Sequence, residues 1–206
     1  MGGEQLVITL VPTWLKVAWT AMVLVIVLVY WRHRGPANFL WFSDIAFLAL
    51  VPGLWLESSF IVSLVACMVL VPETLWSVSF FGRLLNLPRV TGLADYMFDE
   101  GIPLWLRAVS LFHLPLLAVL VWGPWRLGYD PGVYPWAALI AWVVLLLTRW
   151  LTKPEPNINH VYRFPFAAGA KLTPVQHMLV LLVAVPLVLQ LSGHVLLWMM
   201  FGNQAP

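Results

Sequence analysis

Residues 14–31 read WLKVAWTAMVLVIVLVYW, with Lys16 the one charge in the run. This stretch decides the class of the protein. An α-helix of that length rises about 27 Å at 1.5 Å per residue, close to the ~30 Å hydrocarbon core of a bilayer. Strands of a membrane barrel alternate in polarity over about ten residues; this run does not alternate. It is also longer than the 7–15 apolar residues typical of a signal peptide. Arg32 and Arg34 follow the run instead of preceding it, and no small-residue cleavage site comes after. The segment therefore reads as a first, retained membrane span.

The rest of the chain repeats the pattern. Of 206 residues, 62% are hydrophobic and 10% charged, and the mean hydropathy is +0.89. Soluble domains carry about 25% charged residues, so this chain cannot cover a water-facing surface. Gly, Pro and charge divide it into six apolar runs, at about 13–31, 38–56, 59–80, 102–122, 135–151 and 174–200. That predicts an all-α, polytopic bundle of about six transmembrane helices, forming one integral membrane domain over 1–206. Only Glu57-Ser58-Ser59 separates the second run from the third, which predicts a tight antiparallel hairpin. A formal charge of +2 without clustered Lys and Arg gives no footing for nucleic acid. The one cysteine, Cys67, lies in an apolar run and reads as packing.

Lys and Arg set the orientation. Arg32, Arg34, Arg83, Arg89, Arg107, Arg149, Lys153, Arg163 and Lys171 fall on connections 1–2, 3–4 and 5–6 or on nearby span ends; Lys16 and Arg126 fall on the other side. The positive-inside rule then places those connections in the cytoplasm and both termini outside. Tryptophans mark both predicted interfaces: Trp14, Trp55, Trp122, Trp125, Trp136 and Trp198 at outer ends, Trp31, Trp105 and Trp150 at inner ends. Indoles favour the headgroup level, where the N–H stays wet and the ring is buried. Trp19, Trp41, Trp76 and Trp142 lie deeper and are candidates to line the interior.

Ionisable residues inside spans are costly and usually face protein or water. Here they are Asp44, Glu73, Arg107 and His113. Asp44, Glu73 and Arg107 lie roughly 8–10 Å into the membrane from the cytoplasmic side, counting 1.5 Å per residue. His113 is deeper. Arg107, Ser110 and His113 recur three apart and share one stripe of a helix. Two readings stand side by side. In one, the four line a polar pocket open to the cytoplasm; in the other, Arg107 pairs with the carboxylates only to fix how six helices pack. Pro72 and Pro115, next to Glu73 and His113, free the carbonyls of Met68 and Leu111. The histidines show no metal-binding spacing, so no metal is expected. Gly128-Tyr129-Asp130-Pro131-Gly132 is turn chemistry. The connection at 82–101 is a candidate interfacial helix or re-entrant loop; that at 152–173, with Pro154, Pro156 and Pro165, resists regular structure. In the latter, Asn157 and Asn159 either orient a ligand or tie down a helix end. Asn38 sits at the entrance to the second span.

Asn38-Phe39-Leu40-Trp41-Phe42-Ser43-Asp44, the segment Gly92-Leu93 to Phe98-Asp99, Ser110-Leu111-Phe112-His113, Gly128-Tyr129-Asp130 and Asn157-Ile158-Asn159 together resemble an uncharacterised family of bacterial multi-pass membrane proteins, over about residues 38–165. The resemblance implies the bacterial cytoplasmic membrane and no particular activity. Ser110-Leu111-Phe112-His113 alone is faintly similar to alkaline ceramidase and progestin-receptor-like membrane hydrolases. Their paired histidines in a later helix are missing here, so no zinc set is carried over.

Three functions remain in view. In the first, the pocket binds, and at most modifies, a lipid-like amphipathic molecule. His113 would be acid and base, Asp44 would orient or balance it, and Arg107 would hold an anionic headgroup; Glu73, Ser110, Asn38, Asn157 and Asn159 would contact the ligand. In the second, Asp44, Glu73 and His113 change protonation in a small transporter or proton path. In the third, the chain is a non-catalytic subunit of a homo-oligomer or larger membrane complex. Membrane lipids are the partners common to all three.

Overall fold

A computed structural model describes residues 9–88, 91–164 and 172–203. Arg89, Pro165 and Lys171 lie outside the described residues. Among those described, all regular structure is helical. Six helices follow in series: α1 (Thr13–His33), α2 (Phe42–Trp55), α3 (Ser59–Leu84), α4 (Leu104–Leu127), α5 (Tyr134–Leu151) and α6 (Pro174–Phe201). All but α2 belong to segments long and apolar enough to cross a membrane.

The second span differs most from expectation. Instead of one helix from 38, Pro36–Leu40 forms a 3-10 turn and Trp41 is extended at φ −59° and ψ 136°. The α-helix proper starts at Phe42 and has 14 residues, about 21 Å. The hairpin after it is as tight as predicted. Glu57 takes a left-handed φ of 49°, and the Ser58 side chain accepts the Ile61 N–H to cap α3. Such a cap satisfies one of the donors every helix start leaves open.

Helix α3 is the hub. In its most apolar window 61% of residues are buried, against 28–33% in the other four long helices. Small residues bring neighbours close to it: a Cβ on Gly123 of α4 would come 2.5 Å from the Val62 side chain, and one on Gly193 of α6 would come 3.2 Å from the Cys67 carbonyl. Backbone approach of this kind is how membrane helices pack without a hydrophobic driving force between them. Helix α1 buries one stripe against the bundle (Lys16, Trp19, Val23, Ile26 and Tyr30), half-buries the flanking Leu15, Met22, Val27 and Val29, and exposes its opposite face.

Proline shapes two helices. The missing N–H of Pro115 leaves the Leu111 carbonyl without its α-helical donor, and α4 tightens to a 3-10 turn over Ser110–Phe112. In α6, Pro186 lies in a π-helical segment, Val185–Gln190. The Leu182 carbonyl it frees accepts the Trp142 indole N–H at 2.8 Å. Trp14, Trp31, Trp105 and Trp150, assigned to interfaces, are all exposed.

At the helix ends opposite the arginine-rich connections, Glu57 is a staple. It accepts Lys16 Nζ at 2.7 Å, Leu10 N–H at 2.9 Å and Val11 N–H at 3.3 Å. Desolvation works against its charge, but the Lys16 ammonium and the two backbone donors outweigh that and hold the Glu57 carboxyl below its ordinary value.

Candidate functional site

The polar cluster is assembled from four helices and one connection. Glu73 stands on α3, one residue after Pro72. His113 stands on α4, just past the 3-10 turn. Their side chains meet with His113 Nδ1 2.7 Å from Glu73 Oε2, and both residues are buried, His113 at 8% and Glu73 at 2% exposed. The imidazole lies flat between two rings: the centroids of Trp76 and Phe112 are each 4.3 Å from it, at 24°. With Nδ1 committed to the carboxyl, Nε2 is the nitrogen left for other chemistry, because the hydrogen bond on one ring nitrogen sets the role of the other.

Asp44, in the first turn of α2, is also buried. The Asn38 amide reaches its Oδ2 at 3.4 Å, a long bond. Asp44 lies within electrostatic reach of Glu73 and of the phenols of Tyr30 and Tyr96. The Tyr30 and Ser110 hydroxyls share a hydrogen bond of 2.9 Å, with either as donor. Tyr96 comes from the α3–α4 connection and its hydroxyl accepts the Trp76 indole N–H at 3.3 Å. Burial pushes the Tyr96 phenol up to about 12, so it stays protonated at neutral pH.

That connection forms a 3-10 turn, Asp95–Phe98, rather than a full interfacial helix. It folds back on α3, with Ala94 and Met97 buried against Trp76 and the Ala94 N–H donated to Ser79 Oγ at 3.3 Å. Arg107 belongs to this rim. Its guanidinium donates to the Met97 carbonyl at 3.0 Å, and its buried Nε has no partner. The expectation that Arg107 neutralises Asp44 or Glu73 does not match this geometry. Among the described residues the guanidinium forms no ion pair with either carboxyl, and the basic group that reaches Glu73 is His113.

The imidazole therefore reaches Glu73, and a second buried acid, Asp44, lies within electrostatic range of that carboxyl. An arrangement of this kind can give and take a proton without large motion.

Asn157 and Asn159 lie elsewhere. Asn159 Oδ1 accepts the Phe42 N–H at 3.1 Å, while its amide donates to the Leu40 carbonyl at 2.7 Å and to Thr148 Oγ1 at 3.2 Å. It thus supplies the cap that Trp41 cannot give to α2. Asn157 folds its own loop, accepting the Tyr162 and Arg163 N–H groups and donating to the Arg163 carbonyl. Asn157, Asn159 and His160 all have left-handed φ, between 45° and 56°; asparagine tolerates that region better than most residues. Asn159 ties the start of α2, and Asn157 ties its own loop.

Tyr30, Trp76 and Tyr96 are the members that sequence reasoning missed as site residues. Trp76 was singled out as deep, but nothing linked it to His113. Among the described residues, no three His, Cys, Asp or Glu side chains converge as a metal-binding group. No family model matches the chain, and no curated protein or solved structure is significantly similar to it.

Proposed function

We propose that the cluster around His113 and Glu73 binds, and at most modifies, a lipid-like amphipathic molecule taken from the cytoplasmic leaflet of a bacterial inner membrane. The observation that carries this reading is the 2.7 Å His113–Glu73 contact, buried inside an apolar bundle beside a second acid, Asp44, that forms no ion pair among the described residues. His113 acts as acid and base through Nε2. Glu73 fixes its tautomer, and Asp44 carries or shares the balancing proton. Tyr30, Ser110 and Tyr96 supply hydroxyls for a polar group. The unpartnered Nε of Arg107 at the rim suits an anionic headgroup. Asn38 tunes Asp44, and Asn159 holds the entrance of α2 in place while Asn157 shapes the loop that carries it.

Native mass spectrometry of the purified full chain tests this. A co-purifying lipid that Arg107→Ala removes supports the reading, and a wild-type protein without bound lipid overturns it. A second reading, proton-coupled transport, draws on the same residues: acids and a histidine buried in a span are the usual parts of proton relays. It predicts pH-dependent flux in liposomes that Glu73→Gln alters.

A further inference from the structure

The His113 cluster is closed in this conformation. Asp44, Glu73, Ser110 and His113 are all buried, so no ligand reaches the imidazole Nε2 unless some element moves. The elements around it differ in how firmly they are held. Helix α3 is the hub, α4 packs on it through Gly123, and α1 and α2 are regular helices. The strap from Gly92 to Gly101, in the connection between α3 and α4, is held less firmly. Its one regular feature is the four-residue 3-10 turn Asp95–Phe98.

Three polar contacts tie the strap down. Two are long: the Ala94 N–H to Ser79 Oγ and the Trp76 indole N–H to the Tyr96 hydroxyl, both 3.3 Å. The third runs from Arg107 Nη1 to the Met97 carbonyl at 3.0 Å, and the buried Nε of the same guanidinium has no partner. Closure therefore costs the hydration of that N–H. At one end Gly92 holds a left-handed φ of 77°. At the other, Asp99 and Glu100 are exposed, and the Asp99 carboxylate accepts the Gly101 N–H at 2.9 Å. That turn needs no contact with the bundle. Segments with few cross-contacts and little regular structure open at lower free energy than packed helices, and lids are drawn from them.

The strap also occupies the site. Its Tyr96 phenol lies within reach of Ser110, Glu73 and Asp44. Ala94 and Met97 pack on Trp76, the ring stacked on His113. Lifting the strap uncovers the Trp76 N–H and the Arg107 guanidinium together. Both are donors, so the group that replaces Tyr96 and the Met97 carbonyl on them carries acceptor oxygens.

We propose that Gly92–Gly101 is the gate of the His113 site, lifting to admit a ligand whose acceptor-bearing headgroup takes the places of Tyr96 and the Met97 carbonyl. The inference rests on the reading of His113 as the acting group. It adds the route of entry and the contacts that the ligand displaces.

The test locks the strap and measures access to His113 without any lipid as probe. In the full chain with Cys67→Ala, the pair Ser79→Cys and Ala94→Cys places two thiols within disulfide range. Diethyl pyrocarbonate modifies neutral imidazole, and peptide mass spectrometry reads His113 against the exposed His33. Oxidation is expected to lower the His113 rate at least ~10-fold, with His33 unchanged and the rate restored by dithiothreitol. Ser79→Ala, which frees the Ala94 N–H, raises it. An equal rate in the oxidised and reduced protein overturns the gate and leaves the site reading to its own lipid test. So does a wild type whose His113 stays unmodified while His33 is consumed. If the paired variant does not fold, hydrogen exchange of the unmodified chain decides. The Ala94 and Met97 amides are expected to exchange at least ~100-fold faster than α3 amides beside Glu73; equal protection overturns the gate. Glycerol 3-phosphate is expected to speed their exchange where glycerol does not, and no difference between the two overturns the displaced headgroup. A working gate in a protein without bound lipid removes the lipid reading alone.

Discussion

Two acids at opposite ends of the bundle, one half-buried and one buried, have opposite surroundings. Glu57 meets an ammonium and two backbone N–H groups, so its charge is matched. Glu73 meets one imidazole and shares its neighbourhood with Asp44. Both contacts measure 2.7 Å, so distance does not separate them. The supply of donors does. A carboxylate with enough donors holds helices in place; the acids around Glu73 have fewer donors than oxygens to satisfy.

The largest expected effect comes from breaking the sparser pair. His113→Leu leaves Glu73 buried without its partner and lowers stability by about 3 kcal/mol. In thermal unfolding in detergent, the double variant with Glu73→Leu recovers part of that loss. Strictly additive losses would mean the two side chains do not interact. Lys16→Met removes only one of three donors from Glu57, at a site that water reaches. A loss of about 1 kcal/mol is expected, with no effect on lipid binding.

Acid sharpens the contrast. The Glu57 carboxyl is depressed in the folded state, so its contribution is complete above its ordinary value of 4.5 and is lost as pH falls below it. The loop at the other end responds earlier. His160 is pushed down from 6.5 to about 4, by burial first and then by His177 and Arg163. Between those values the unfolded loop binds the proton and the folded loop does not, so stability falls as pH drops from 6.5 towards 4. Hydrogen exchange of residues 157–163 is expected to speed up over that interval, before the Glu57 staple responds. Smallest of all is Asp44→Asn. Removing the surplus acid leaves the melting temperature unchanged or slightly raised, as is common where function keeps a costly group. If Asp44→Asn instead unfolds the protein, Asp44 belongs with Glu57 among the structural acids.

The spans, the 57–59 hairpin and the Gly128–Gly132 turn are legible because each follows from local physics: run length, Gly and Pro placement, and the cost of charge in lipid. The common depth of Asp44 and Glu73 is legible too, since depth is a count of residues. Arg107 shares that depth, yet its guanidinium bonds the Met97 carbonyl. Depth says nothing about the angle around a helix. In a soluble helix the polar stripe would supply that angle, but α1 is apolar all round, and the face holding Tyr30 looks in sequence like the face holding Leu28.

The sequence by itself determined that this protein is a bundle of membrane helices with a few acids at one level, because hydropathy and length are additive along a chain. Only the tertiary structure decided that His113 rather than Arg107 reaches Glu73 and that Tyr96 returns from a connection to meet Trp76. Those outcomes depend on how α3 and α4 rotate against each other, and that rotation is set by contacts such as Gly123 on Val62. Both partners there are small or apolar, and nothing in either residue alone announces the other.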